Sequence, residues 1–177
     1  FSAAGKKFAS HIGGKAATLS NFYICGRDFI ITEACEYKKN FLRLNPDIAV
    51  ILNSDSYHLE CYGDESALKK AYMEFAKRAA VTVSLYKDLP FDFGRTFGFD
   101  KYSDYYAKNM KLINGAYSFE LYEDAKEEAF ISLAVYGRHN VLNAVAAAAT
   151  ARCAGIPFKF IKEGLASFSG GERRFEN

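Results

Sequence analysis

The sequence predicts an α/β domain: a mostly parallel sheet flanked by helices, with an antiparallel meander and further helices toward its end. Three observations predict it. Residues 48–52 (I-A-V-I-L) are apolar at every position, as a parallel strand buried on both faces must be. Residues 64–78 follow with apolar side chains at helical spacing, and residues 81–86 form another apolar strand, so a strand–helix–strand unit is in place. Residues 108–113, 116–122 and 129–135 then alternate around turn signals at Asn114-Gly115 and at 123–128, the pattern of an antiparallel meander.

The remaining elements follow in order. Residues 1–10 (F-S-A-A-G-K-K-F-A-S) read as the tail of a helix that begins outside the sequence, stopped by Gly13-Gly14. Residues 21–25 and 28–32 alternate around Gly26-Arg27 and read as two strands paired with each other. Residues 41–46 are a connection whose Pro46 sets up the strand at 48–52. In the helix at 64–78, Asp64 or Ser66 is the candidate cap, and Ala67, Leu68, Ala71, Tyr72, Phe75 and Ala79 form its apolar stripe. Residues 95–99 are a short strand. Tyr102, Tyr105 and Tyr106, with Asp104, read as surface and edge-strand residues. Gly137 opens a helix over 140–154, ended by Gly155 and Pro157, and a last helix runs over 159–167 before a glycine-rich end.

Composition narrows the function classes. A length of 177 residues suits one domain, and half hydrophobic with a quarter charged is the profile of a soluble globular chain. A net charge of +2 gives no basic face for nucleic acid, and no apolar run reaches the length of a membrane span, so neither partner is expected. Cys25, Cys35, Cys61 and Cys153 are scattered without a CxxC pair, which favours free thiols in a reducing, cytoplasmic setting. No signal peptide is visible. The chain opens mid-pattern without Met and reads as a piece of something longer.

Chemistry concentrates after two strands. The strand at 29–32 delivers Glu33 and Glu36, and the strand at 48–52 delivers Asn53, Asp55 and His58. In open α/β sheets, ligands bind beyond the carboxyl ends of the strands. Carboxylate and imidazole there suit a divalent ion held beside phosphates. Lys15-Ala16-Ala17-Thr18 is not a phosphate loop, because Ala rather than Ser or Thr follows the lysine and the preceding residues read as helix.

Five ordered segments carry a resemblance: Ile12-Gly13-Gly14; E-A-C-E-Y-x-x-N-F-L from Glu33 to Leu42; N-x-D-x-x-H-L-E from Asn53 to Glu60; G-R-H-N-x-x-N from Gly137 to Asn143; and F-x-G-x-x-R-R-F-E from Phe168 to Glu176. In this order they resemble the central, ATP-binding domain of the Mur ligases, over nearly the whole chain. The E-A-C-E-Y form is similar to the alanine-adding branch. The resemblance implies a cytoplasmic ligase of peptidoglycan precursor synthesis, which uses ATP and Mg2+ to activate the carboxylate of UDP-N-acetylmuramate as an acyl phosphate for attack by L-alanine. It implies that residues 1–177 are the central domain, truncated at its start, with the first strand and phosphate loop missing. The chain would end at the hinge to a carboxy-terminal domain, with an amino-terminal domain on the other side. Such a fragment is expected to be inactive alone.

By motif, Glu33 and His58 would be the catalytic metal ligands, and Asn53 and Glu36 would face the substrate. His139, Asn140 and Asn143, with Arg173 and Arg174, would bind nucleotide. An N-cap at Asn140 is compatible with that role. Two departures stand out. The family's phosphate loop is not in the sequence, and Tyr57 takes the place of the Asp that usually precedes the histidine and supports it. Sister ligases use a carbamylated lysine where Tyr72-Met73 stands here. Two alternatives remain at this stage: a related ligase adding a peptide to the same sugar nucleotide, against which Cys35 argues, and a degenerate, non-catalytic binding module.

Overall fold

In the computed structural model, residues 1–13, 21–55, 58–90 and 93–170 are described, and they form two sheets with helices packed around the larger. Gly14, Lys15–Thr18, Tyr57, Arg173 and Arg174 lie outside the described residues. The small sheet contains β1 (Phe8–His11), β2 (Phe22–Ile24) and β3 (Phe29–Thr32) in the order β2-β1-β3. The large sheet runs β4 (Ile48–Ile51), β5 (Val81–Leu85), β6 (Arg95–Gly98), β7 (Tyr105–Ile113), β8 (Ala116–Glu123) and β9 (Lys126–Tyr136), paired in sequence order. Pairs β4–β5, β5–β6 and β6–β7 are parallel, and β7–β8 and β8–β9 antiparallel. The meander therefore extends the parallel sheet in one surface, and β9 points the same way as β4.

Helix α1 (Glu65–Lys77) covers β4 and β5 on one face. Helix α2 (Arg138–Cys153) lies on the other, against β4–β7, and α3 (Phe158–Ala166) packs on β9. The alternation of β4 sorts its side chains between these layers. Ala49 and Ile51 join Phe41, Leu68, Ala71 and Phe75 under α1, and Ile48 and Val50 pack toward the α2 side. The larger core sets Val83, Phe97, Phe119, Leu121 and Ile131 against Val141, Val145, Ala148 and Ala149. The run of alanines on α2 brings the helix backbone close to the sheet. Asp64 caps α1 by accepting a hydrogen bond from the Ala67 amide at 2.7 Å, as its place before the helical stripe predicts.

Three expectations are corrected. Residues 1–10 are not a helix tail: only Ser2–Ala4 form a 3-10 turn, closed by Gly5 at φ 64°, and Phe8–His11 are a strand. The inward positions Phe8 and Ser10 show a period of two, which a helix cannot satisfy. A strand, not a helix, thus precedes the 15–18 segment. Second, β2 and β3 do not pair with each other. β1 lies between them, antiparallel to β2 and parallel to β3. The link crosses β1 at Lys7, and Gly26 permits it, since a Cβ there would collide with that of Lys7. Third, Tyr105 and Tyr106 are buried, 2% and 5% exposed, within an interior strand. The Tyr105 hydroxyl donates to Glu123, and the Tyr106 ring stacks on Tyr122 at 4.8 Å.

Ion pairs close the amino end of β6. Arg95 reaches Asp124 at 2.8 Å and Asp104 at 3.7 Å, and Arg152, in the last turn of α2, reaches Glu123 at 3.3 Å. The Asp104 carboxylate also accepts from the Thr96 amide and hydroxyl, each at 2.6 Å.

Phe119 sits at 0% exposure in the large core, so Phe119→Ala is expected to lower unfolding free energy by ~3–5 kcal/mol. Asp64→Ala, removing only the cap, is expected to cost about 1 kcal/mol. Denaturant midpoints of the two variants check both the values and their order.

Candidate functional site

The parallel strands end at one rim, and the loops there carry most of the chemistry-bearing residues. After β3, the chain reaches Glu33, whose amide donates to the His11 carbonyl at 2.9 Å and whose carboxylate accepts from the Gly13 amide at 2.5 Å. Glu36 then precedes a pair of 3-10 turns (Tyr37–Arg43) broken by Lys38 and Lys39 in left-handed conformations, φ 51° and 59°. Phe41, 1% exposed, anchors this segment in the core beneath α1. The turns bring the Glu36 backbone to Tyr62, whose hydroxyl donates to its carbonyl.

After β4, the Asn53 side chain accepts from the Asp55 amide at 3.3 Å, an Asx turn that bends the chain away from the strand. His58 follows with φ 57° and ψ 36°, a left-handed conformation uncommon for a residue with a Cβ. Its Nδ1 lies 3.1 Å from Glu60 Oε1, its Nε2 lies 3.8 Å from Glu36 Oε1, and its ring meets Tyr37 edge-on at 5.2 Å. Residues from the loops after β3 and β4, which belong to separate sheets, thus converge. Of the two carboxylates delivered after β3, Glu36 lies beside His58, while Glu33 is turned to Gly13.

The field at this rim is acidic. Burial pushes the Tyr72 hydroxyl up to about 12, and Glu36, Tyr62, Asp88 and Asp55 add to the rise. Burial likewise raises the Asp88 carboxyl against the lowering effect of Ser54. Glu60 is held below the usual carboxylate range by its own backbone amide and by His58. Among the described residues, no group of three or more His, Cys, Asp and Glu side chains forms a cage able to hold a metal by itself. Carboxylate with imidazole fits an ion that takes the rest of its shell from water and substrate phosphates, as magnesium does.

The second group stands at the start of α2. Because β9 points the same way as β4, this helix begins at the same rim, at the far edge of the large sheet. Gly137, at φ 92°, makes the turn; a Cβ there would lie 2.7 Å from the His139 ring. The helix starts at Arg138 rather than at the expected residue 140, so the cap is Gly137 and Asn140 sits inside the first turn, not at an N-cap. Asn140 Nδ2 donates to the Tyr136 carbonyl at 2.7 Å, and Asn143 Nδ2 donates to Asn140 Oδ1 at 3.4 Å. The chain of amides fixes both side chains and leaves Asn143 Oδ1 an acceptor on that surface. Arg138 lies over the Phe99 ring at 4.2 Å, at the end of β6.

Glu36 and His58 therefore meet, Asn53 stands earlier in the loop that carries His58 with its side chain turned to the Asp55 amide, and His139, Asn140 and Asn143 share the first turns of α2. Two contributors escaped the sequence reading. Glu60 was legible as the carboxylate two positions after His58. The Tyr62 contact joins residues 26 apart, and nothing local signals it.

Comparison with known proteins bears on these clusters. A family model described as the Mur ligase middle domain matches residues 5–151. The UDP-N-acetylmuramate–L-alanine ligase of Christiangramia forsetii is 33% identical over 174 residues, covering 97% of this chain and 38% of that protein. The enzyme of the same name from Flavobacterium psychrophilum is 34% identical over 174 residues, with 97% and 39% coverage. The crystal structure of UDP-N-acetylmuramate-alanine ligase MurC from Thermotoga maritima superposes with a TM-score of 0.87 at 26% identity, covering 98% of this chain and 41% of that one. The chain thus spans about two fifths of the length of these relatives. No helix among the described residues is long and apolar enough to cross a membrane.

The Tyr72 shift predicts an alkaline transition. Its hydroxyl is raised from 10.0 to about 12, so the stability it contributes is complete below pH 10 and is lost as pH rises through 12. Thermal midpoints of the wild type are expected to fall across that window, and those of Tyr72→Phe to fall less steeply.

Proposed function

This chain belongs to the Mur ligase family through its middle domain, and we propose that it is the nucleotide-handling part of an ATP-dependent ligase joining L-alanine to UDP-N-acetylmuramate. The observation that carries the reading is the meeting of Glu36 and His58, delivered by two separate sheets to one acidic rim. Ligase chemistry of this kind places a phosphoryl group between a carboxylate and ATP, and it needs that group oriented and its charge offset more than it needs covalent help. Mg2+, when bound with ATP, supplies the Lewis-acid offset at the phosphate oxygens.

In this reading His58 and Glu33 hold the ion by motif, and Glu36, 3.8 Å from His58 Nε2, shares that site. The Gly13 amide and the Tyr62 hydroxyl keep the two glutamates in place. Asn53, fixed by its Asx turn, faces the sugar-nucleotide side. His139, Asn140 and Asn143 bind the adenine side, where amides that donate and accept suit a purine edge. Arg173 and Arg174 supply fixed positive charge toward nucleotide phosphate. Partners of the reading are the flanking domains of the same enzyme, and its setting is the cytoplasm. The identity to alanine-adding relatives favours L-alanine over a peptide as acceptor.

The test uses the full-length protein containing this chain, with ATP, Mg2+, UDP-N-acetylmuramate and L-alanine, and follows phosphate release. The expected result is release dependent on both the sugar nucleotide and L-alanine. His58→Ala is expected to lower kcat at least ~100-fold, and Asn143→Ala to raise the KM for ATP roughly 5–10-fold with kcat nearly intact. Phosphate release indifferent to L-alanine would overturn the acceptor assignment. An unchanged kcat in His58→Ala would overturn the site.

A further inference from the structure

The imidazole of His58 is held asymmetrically. Nδ1 lies 3.1 Å from Glu60 Oε1, within hydrogen-bond reach, whereas Nε2 stands 3.8 Å from Glu36 Oε1, beyond it. The backbone enforces this. His58 sits at φ 57°, and the 3-10 turn Leu59–Cys61 follows at once, with the Cys61 amide donating to the His58 carbonyl at 2.8 Å. That tight turn brings the side chain two positions on back alongside the ring. Tyr37, edge-on at 5.2 Å, limits rotation from another side.

A neutral imidazole has one donor nitrogen and one acceptor nitrogen, and an ionised carboxylate only accepts. From that asymmetry we propose that Glu60 is a positioning residue: it accepts the Nδ1 proton of His58, fixes the ring tautomer, and leaves the Nε2 lone pair directed toward the Glu36 side of the site. The inference rests on the reading of His58 as a ligand of a divalent cation. There a carboxylate behind the imidazole sets its orientation and raises its basicity. His58 and Glu60 side chains are 44% and 68% exposed, so the pair adds little to folding stability and acts through orientation. It also supplies a carboxylate partner for the histidine in a chain whose residue 57 is Tyr.

The experiment is a long-range proton–nitrogen spectrum of 15N-histidine-labelled, metal-free protein containing this chain, recorded at about pH 8.5, above the ordinary histidine range. His58→Ala identifies the signal. The wild type is expected to show the Nδ1–H form. Glu60→Ala is expected to shift His58 toward Nε2–H, and Glu60→Gln, whose amide oxygen still accepts, to keep the wild-type pattern. Mn2+ alone, titrated into the same proteins, is expected to bind roughly 10-fold more weakly to Glu60→Ala, with its thermal midpoint unchanged. A wild-type ring in the Nε2–H form, a Glu60→Ala spectrum like the wild type's, or unchanged Mn2+ affinity in that variant would overturn the proposal. A fixed Nδ1–H form in a protein without ligase turnover would support the positioning and defeat the ligase reading. Turnover with an Nε2–H ring would do the reverse.

Discussion

Packing of β4 on both faces, fully buried under α1 and partly buried toward α2, is the constraint on which the rest depends. Ala49 and Ile51 are committed to the α1 side and Ile48 and Val50 to the α2 side, so a slip of one residue would exchange the two sets. That fixes the register of β4 on β5 and the height at which its carboxyl end leaves the sheet. Asn53 begins its turn there, and His58, later in the same connection, lies beside Glu36.

The two ends of the large sheet are treated differently. At the amino end of β6, Arg95 and Arg152 gather Asp104, Glu123 and Asp124, and the arginine in the last turn of α2 also complements the helix dipole. Most of these contacts are half-exposed, and each adds modestly to stability. Together they give the buried Tyr105 of β7 polar partners and tie the meander to the parallel strands. At the opposite rim, Glu36, Asp55 and Asp88 stand together and raise Tyr72. Negative charge is paired with arginine at the first end, and at the other it gathers around Tyr72 with Lys69 acting on Asp88.

Much of this was legible in the sequence, for identifiable reasons. The all-apolar run at 48–52, the stripe of α1 behind Asp64 and the Asn114-Gly115 hairpin are local patterns, and each produced the element expected of it. The insertion of β1 between β2 and β3 was not legible, because strand pairing depends on long-range competition and only the steric need for Gly26 marks the crossing. Tyr105 and Tyr106 misled because tyrosine is equally at home at a surface; Glu123 and Tyr122, far along the chain, decide their burial. In the candidate site, motif spacing supplied the residues but not their pairing. Glu36 lies beside His58 while Glu33 is held by the Gly13 amide, and these long-range contacts leave no local mark in the sequence.

In the proposed function, the loops after β3 and β4 together hold a divalent ion against nucleotide phosphates. Crystals of the full-length protein with Mn2+ and a non-hydrolysable ATP analogue test it directly through the anomalous signal of the metal. The account predicts a peak in coordination contact with His58 Nε2 and with a carboxylate of Glu33 or Glu36. A peak on the phosphates alone, with neither glutamate nor His58 in contact, would contradict it.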